Sequence, residues 1–201
     1  MGYLRGFIPW IVFAAVSSAD WRWGAVAALA TGSILLAGGL RGGIAADALI
    51  LDISTVIYFV PLGALAFADP GSALKPYDSA MSFVWLCLTA WLSLAIRRPF
   101  TLGIARQQTP REYWHTPGFL RVNVIITSVW ATAFTFSGAA LIACSAKDAP
   151  DWVIILVHVV GLATPALFTS LYPRRVRARL ARTGAAAGAA PTSSGSAGEA
   201  A

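Results

Sequence analysis

The chain has 201 residues, 57% hydrophobic and only 12% charged, with a mean hydropathy of +0.68. A soluble domain carries roughly 25% charged residues, so the composition excludes an ordinary water-soluble protein and implies an all-α, polytopic membrane bundle. The net charge of +6 does not indicate a nucleic-acid binder, because the cations fall in the gaps between apolar runs and not on one soluble face.

Six apolar runs predict six spans, at about 4–18, 24–40, 45–67, 78–96, 122–146 and 152–171. The first is short for a span, which needs roughly 17–25 residues. Arg5 before it and Ser17-Ser18-Ala19 after it also fit a secretory signal. Pro9 and Trp10 inside the run, and the very short loop that follows, favour a retained helix. The second run is rich in Ala and Gly, small residues that let helices approach closely in lipid. The third carries Asp47, Asp52, Ser54, Thr55 and Tyr58, then Pro61, which removes a backbone hydrogen bond. The fourth stops at Arg97-Arg98-Pro99, the fifth holds Asn123 and Trp130, and the sixth holds His158 and Pro165. Cys87 and Cys144 both lie inside apolar runs and read as small buried hydrophobes. The transmembrane domain is expected over 1–182, and the Ala/Gly/Ser-rich segment 183–201 is expected to be a disordered cytoplasmic tail.

Six crossings put both termini on one side. That threading collects twelve cations (Arg5, Arg41, Arg97, Arg98, Arg106, Arg111, Arg121 and the five arginines from Arg174 to Arg182) on one face and leaves Arg22, Lys75 and Lys147 on the other. Cations in short loops mark the cytoplasmic side. The expectation is therefore N-in and C-in, in a bacterial cytoplasmic (inner) membrane, with the loop 97–121 cytoplasmic.

That loop is the longest polar interruption. Its arginines alternate with Phe100, Tyr113, Trp114 and Phe119, a mixture suited to a membrane interface. Thr109-Pro110-Arg111-Glu112 has the form of a capping box, and Thr116-Pro117 offers a second helix start. Phe100 and Ile104, four apart, predict one apolar face with Arg106 turned toward water or lipid phosphate. The plain reading is an interfacial re-entry held by arginines. The functional reading is a binding site for lipid headgroups or a protein partner, formed by Arg97, Arg98, Arg106, Arg111, Glu112, Trp114 and His115.

Ionisable groups inside a span are functional candidates by default. Asp52 and Tyr58, with His158 as proton partner, form a candidate transport path. The plainer reading has Asp52 hydrogen-bonded near the headgroups and His158 satisfied in the core. No phosphate-binding glycine loop, HExxH, CxxC or nucleophile elbow occurs, so neither an enzyme, a metal nor a cofactor is expected.

The segments ILDISTVIYF, WLSLAIRRPFTLGIARQQTPREYWHTPGF and ITSVWATAF resemble a family of small bacterial multi-spanning membrane proteins. The shared pattern is Ser-Leu-x-x-x-Arg-Pro-Phe-Thr, then Trp-x-x-Pro-x-Phe, then a tryptophan in the next span. A more distant similarity is to the intracellular septation protein A family. The resemblance implies a non-enzymatic role in envelope organisation or division, with lipids, a protein partner or a second copy as the partner. The alternative expectation is a small transporter or channel.

Overall fold

The structure, a computed structural model, describes residues 5–188. Among them there is no strand, and seven helices follow one another: α1 Ile8–Ser17, α2 Trp21–Arg41, α3 Ile50–Ala68, α4 Asp78–Ala95, α5 Phe100–Gln107, α6 Pro117–Ala146 and α7 Asp151–Gly188. Short 3-10 turns precede α3, α4 and α6. Two compact units divide the chain, Met1–Phe168 and Thr169–Ala201, with the boundary inside α7. Helix continues to Gly188, into the segment expected to be disordered, because its alanines are the strongest helix formers. The remainder of that segment, like Leu4 at the start of the first run, lies outside the described residues.

Among the described residues five helices are long and apolar enough to cross a membrane: α2, α3, α4 with its preceding turn, α6 and α7. The surface agrees. Phe136, Ile34 and Trp152 are 72%, 71% and 66% exposed, while Thr55, Thr101, Asn123 and Thr127 are buried. Large apolar side chains outside and hydroxyls inside suit a bundle whose solvent is hydrocarbon. This is a multi-pass membrane protein.

The sixth apolar element, α1, differs from the expected span 4–18. Its 10 residues span about 15 Å at 1.5 Å per residue, roughly half the hydrocarbon thickness. It packs inward by one face, with Pro9, Trp10 and Phe13 buried while Ile8 and Ile11 stay exposed. Phe7, just before it, stacks on Trp130 of α6 with ring centroids 4.4 Å apart and planes 10° apart, and meets Phe100 edge-on. Trp10 donates from Nε1 to Thr55 Oγ1 at 2.9 Å and packs on Tyr58 and Phe59 of α3. Phe13 also meets Phe59. Aromatic area holds the centre where aliphatic burial has no advantage over lipid.

The pairs α1 with α2, α2 with α3, α3 with α4 and α4 with α6 run antiparallel, α1 lies parallel to α3, and small or polar residues mark the seams. Gly24 lies against Ser17, and Arg5 donates to the Leu35 carbonyl at 3.2 Å, which sets α1 against α2. Between α3 and α4, Ser54 Oγ and Thr89 Oγ1 are 2.7 Å apart, and Tyr58 Oη lies 3.3 Å from Ser82 Oγ. Between α4 and α6, Cys87 Sγ and Trp91 Nε1 both reach Thr135 Oγ1 at 3.2 Å. In α7, Gly161 touches Ser137 and Phe83.

This alternation sorts the charges of the first unit. Arg5, Arg41, Arg97, Arg98, Arg106, Arg111 and Arg121 gather at the end where α2 and α4 finish and α3 and α6 begin. Asp20, Asp69, Asp78, Asp148 and Asp151, with Arg22, Lys75 and Lys147, gather at the other. Asp20 caps α2 by accepting from the Arg22 amide at 2.9 Å, and its carboxylate also pairs with the Arg22 guanidinium. Those two bonds to Arg22, side chain first, hold the Asp20 pKa down at about 2.

Candidate functional site

The arginine-bearing end is built around the turn that leaves α4. The Arg98 amide bonds to the Ser93 carbonyl and the Arg97 amide to the Leu94 carbonyl, both at 2.9 Å. This is a Schellman ending, and its left-handed residue, usually glycine, is Arg97 at φ +57°. Pro99 then forbids further helix. Ser93, buried, accepts from the Phe100 amide through Oγ at 3.2 Å, tying the start of α5 to the last turn of α4.

Helix α5 is buried on nearly every side. Phe100 and Ile104 are buried as expected, but so are Thr101, Leu102, Gly103 and Ala105. The expected interfacial helix, lying on lipid by one apolar face, is instead a re-entrant piece of the bundle. Thr101 Oγ1 bonds to the Asn123 carbonyl at 3.2 Å and to Thr127 Oγ1 at 2.7 Å. Gly103 rests on the backbone of Ala48. Arg106, expected to turn outward, pairs with Asp47 in the 3-10 turn Ala46–Ala48. The reason is steric: with Gly103 flush on Ala48, the next turn of α5 carries Arg106 beside Asp47.

Beyond α5 the chain forms a 3-10 turn, Arg111–Tyr113, with no side-chain cap. The expected capping box at Thr109 does not form; the Thr109 carbonyl accepts instead from Trp114 Nε1 at 2.8 Å. The second expected start does form, with Thr116 Oγ1 capping α6 by accepting from the Phe119 amide at 3.4 Å. Trp114 is flanked by two cations, its ring centroid 5.5 Å from the Arg106 guanidinium carbon and 5.8 Å from that of Arg111.

A cleft of about 570 Å³ opens here. Its polar lining includes Asp47, Arg97, Arg98, Arg106, Trp114 and His115, and its apolar lining includes Ile50, Leu102 and Leu120. Five of the seven residues expected to act together therefore share one cavity. Arg111 reaches it only through Trp114, and Glu112 sits on the exposed turn outside. Asp47 is the member that sequence reasoning missed as part of this site. Its signal was available: Glu112 is the sole acid in 97–121, and Asp47 and Asp52 are the acids in the run 45–67 that begins beside Arg41. Among the described residues Arg106 is paired, whereas no ion pair engages Arg97 or Arg98.

The candidate transport residues are distributed differently. Asp52 lies in the first turn of α3, near the charge of Arg5. Tyr58 is buried against Trp10 and Trp85. His158 is toward the opposite end, where its Nδ1 lies 2.8 Å from the Ile154 carbonyl of its own helix and its ring meets Phe83 edge-on. Asp52 and His158 are not brought together. Among the described residues no group of three or more His, Cys, Asp or Glu is placed to hold a metal ion.

The quoted motif residues fall on this joint. Ser93 tethers Phe100, Arg98 lines the cleft, Thr101 anchors α5 to α6, Trp114 carries the arginines and Trp130 stacks on Phe7. Comparison of the chain with family models, with curated proteins and with solved structures gives no match.

Proposed function

We propose that the protein is a non-enzymatic component of a bacterial cytoplasmic membrane that engages anionic lipid headgroups through the cleft at its arginine-bearing end. The observation that carries this reading is the convergence of Arg97, Arg98, Arg106 and His115 on one cavity that also has an apolar wall. Guanidinium groups are planar forks matched to phosphate oxygens. Tryptophan at headgroup depth, and cations on the inner leaflet, are favoured on the same physical grounds. The seven arginines gathered at this end support a cytoplasmic orientation for it. The resemblance to septation-type membrane proteins supports envelope organisation or division as the setting, with a protein partner or a second copy as further occupants of the exposed loop.

The test is lipid retention. Wild-type protein and the Arg97→Gln/Arg98→Gln variant are purified gently from the same membranes, and the copurifying lipids are quantified by mass spectrometry. Anionic lipid is expected to be enriched over its membrane proportion in the wild type and not in the variant. Equal, bulk-like proportions in both overturn the reading.

A further inference from the structure

The charge in the cleft points to a narrower class of ligand. Arg106 is offset by Asp47, so the charges left facing the cavity are those of Arg97 and Arg98. A phosphodiester headgroup carries one negative charge, whereas a phosphomonoester carries about 1.5 to 2 at neutral pH. Two uncompensated guanidinium groups balance the second and leave a charge over with the first. Arg106 lines the same cavity with its Nη1 committed to Asp47.

The backbone points the same way. A left-handed Cα position after a helix ordinarily takes glycine, and a side chain there costs on the order of 1 kcal/mol. Arg97 occupies it at φ +57° and lines the cavity. Strained residues of this sort gather at ligand sites, where the side chain is needed in that place.

We propose that the cleft is a site for a lipid phosphomonoester, its phosphate held by Arg97, Arg98 and Arg106 and the first part of its apolar chain lying along Ile50, Leu102 and Leu120. This rests on the anionic-headgroup reading above and adds the class of phosphate. Trp114, half-buried and steadied by Arg106 and Arg111, walls the cavity on its polar side. The shared chemistry is a dianionic phosphate, available from a lipid or from solution, and the apolar wall assigns it to the lipid.

The experiment titrates the purified full chain in detergent calorimetrically with dioctanoyl phosphatidic acid, dioctanoyl phosphatidylglycerol, dioctanoyl phosphatidylcholine and inorganic phosphate. Phosphatidic acid is expected to bind about tenfold more tightly than phosphatidylglycerol and more than tenfold more tightly than inorganic phosphate. Arg97→Gln/Arg98→Gln abolishes that preference, while Arg121→Gln, outside the cleft, retains it. Arg98→Gln alone, which leaves the strained turn untouched, weakens it in the same direction. Equal binding of the two anionic lipids overturns the phosphomonoester assignment and leaves the anionic-headgroup reading standing. No preference over phosphatidylcholine overturns both. Inorganic phosphate binding as tightly as phosphatidic acid overturns the lipid as its source, and an undiminished preference in the folded double variant overturns the location.

Discussion

Gly103 of α5 lies directly on Ala48: a β-carbon added at 103 would run into the Cα and N of Ala48 and the carbonyl of Asp47. These are backbone atoms of a 3-10 turn, so no side chain can swing away to make room. The contact sets how close α5 comes to the start of α3, and through it the pairing of Arg106 with Asp47. Gly103→Ala is therefore expected to lift α5, to destabilise the protein by about 1–3 kcal/mol as overpacking does, and to lower retention of anionic lipid. Thermal unfolding in detergent, paired with lipid analysis, measures both. An unchanged midpoint with unchanged lipid would mean that this approach does not build the cleft.

Arg97 makes a prediction of opposite signs. Arg97→Gly relieves the left-handed turn and is expected to raise stability by about 1 kcal/mol, while removing a cleft guanidinium and weakening lipid binding. Arg97→Lys keeps the charge and the strain, so it is expected to lose part of the binding and gain no stability. Unfolding midpoints and lipid titrations of the two variants check this. A glycine variant that is less stable, or that binds as well as wild type, contradicts the account.

The helices were legible because lipid demands long apolar runs; α2, α3, α4, α6 and α7 fall within a few residues of the expected spans, α7 running past its expected end. The faces were not legible, since a helix with protein on one side and lipid on the other is apolar all round. Nothing in the run from Phe7 to Val16 says that it is a short helix packed inward by its aromatic face and not a full span. That depends on Phe7 finding Trp130, more than a hundred residues away. Within the site, the cluster of arginines and Trp114 was visible as composition. The Asp47 partner was not, because it depends on Gly103 meeting Ala48, and small residues in a membrane sequence look alike whether they face a helix or lipid.

The aromatic residues at the start of α1 and just before it are buried, which makes them costly to remove. Phe7→Ala deletes a ring that is 1% exposed and contacts Trp130, Phe134 and Phe100. A loss of about 3–5 kcal/mol is expected for a buried phenylalanine. Ile8→Ala, at a residue 42% exposed, is expected to cost far less. Comparable destabilisation by both, read from thermal unfolding in matched detergent, would mean that the aromatic face does not anchor α1 in the bundle.

Asp52 and His158 test the transport reading. Groups at opposite ends, without a shared partner, contribute additively within about 0.5 kcal/mol. Asp52→Asn and His158→Ala are expected to sum in the double variant, and neither is expected to alter proton leakage of liposomes carrying the protein, which should match empty liposomes. The hydroxyls between them already bond to one another and to helix carbonyls, as Ser54 does with Thr89 and Thr55 with the Leu51 carbonyl. Proton flux that depends on both residues would reinstate a path.

Asp20 supplies a pH dependence whose sign follows from its partners. Bonds from Arg22 hold its carboxyl at about 2, below the ordinary value of 3.8. A carboxylate with a depressed folded pKa stabilises the protein fully above its unfolded value, and that contribution is lost as pH falls through the folded one. Asp20→Asn keeps a capping oxygen but removes the charge. The stability gap between wild type and Asp20→Asn is therefore expected to stay constant from pH 7 to about pH 5, to shrink below about pH 4 and to vanish near pH 2. Unfolding midpoints across that range, with the carboxyl resonance of Asp20 followed by NMR, give the measurement. A resonance titrating near 4, or a gap that closes at pH 5, would mean that Arg22 does not hold Asp20 in solution as it does here.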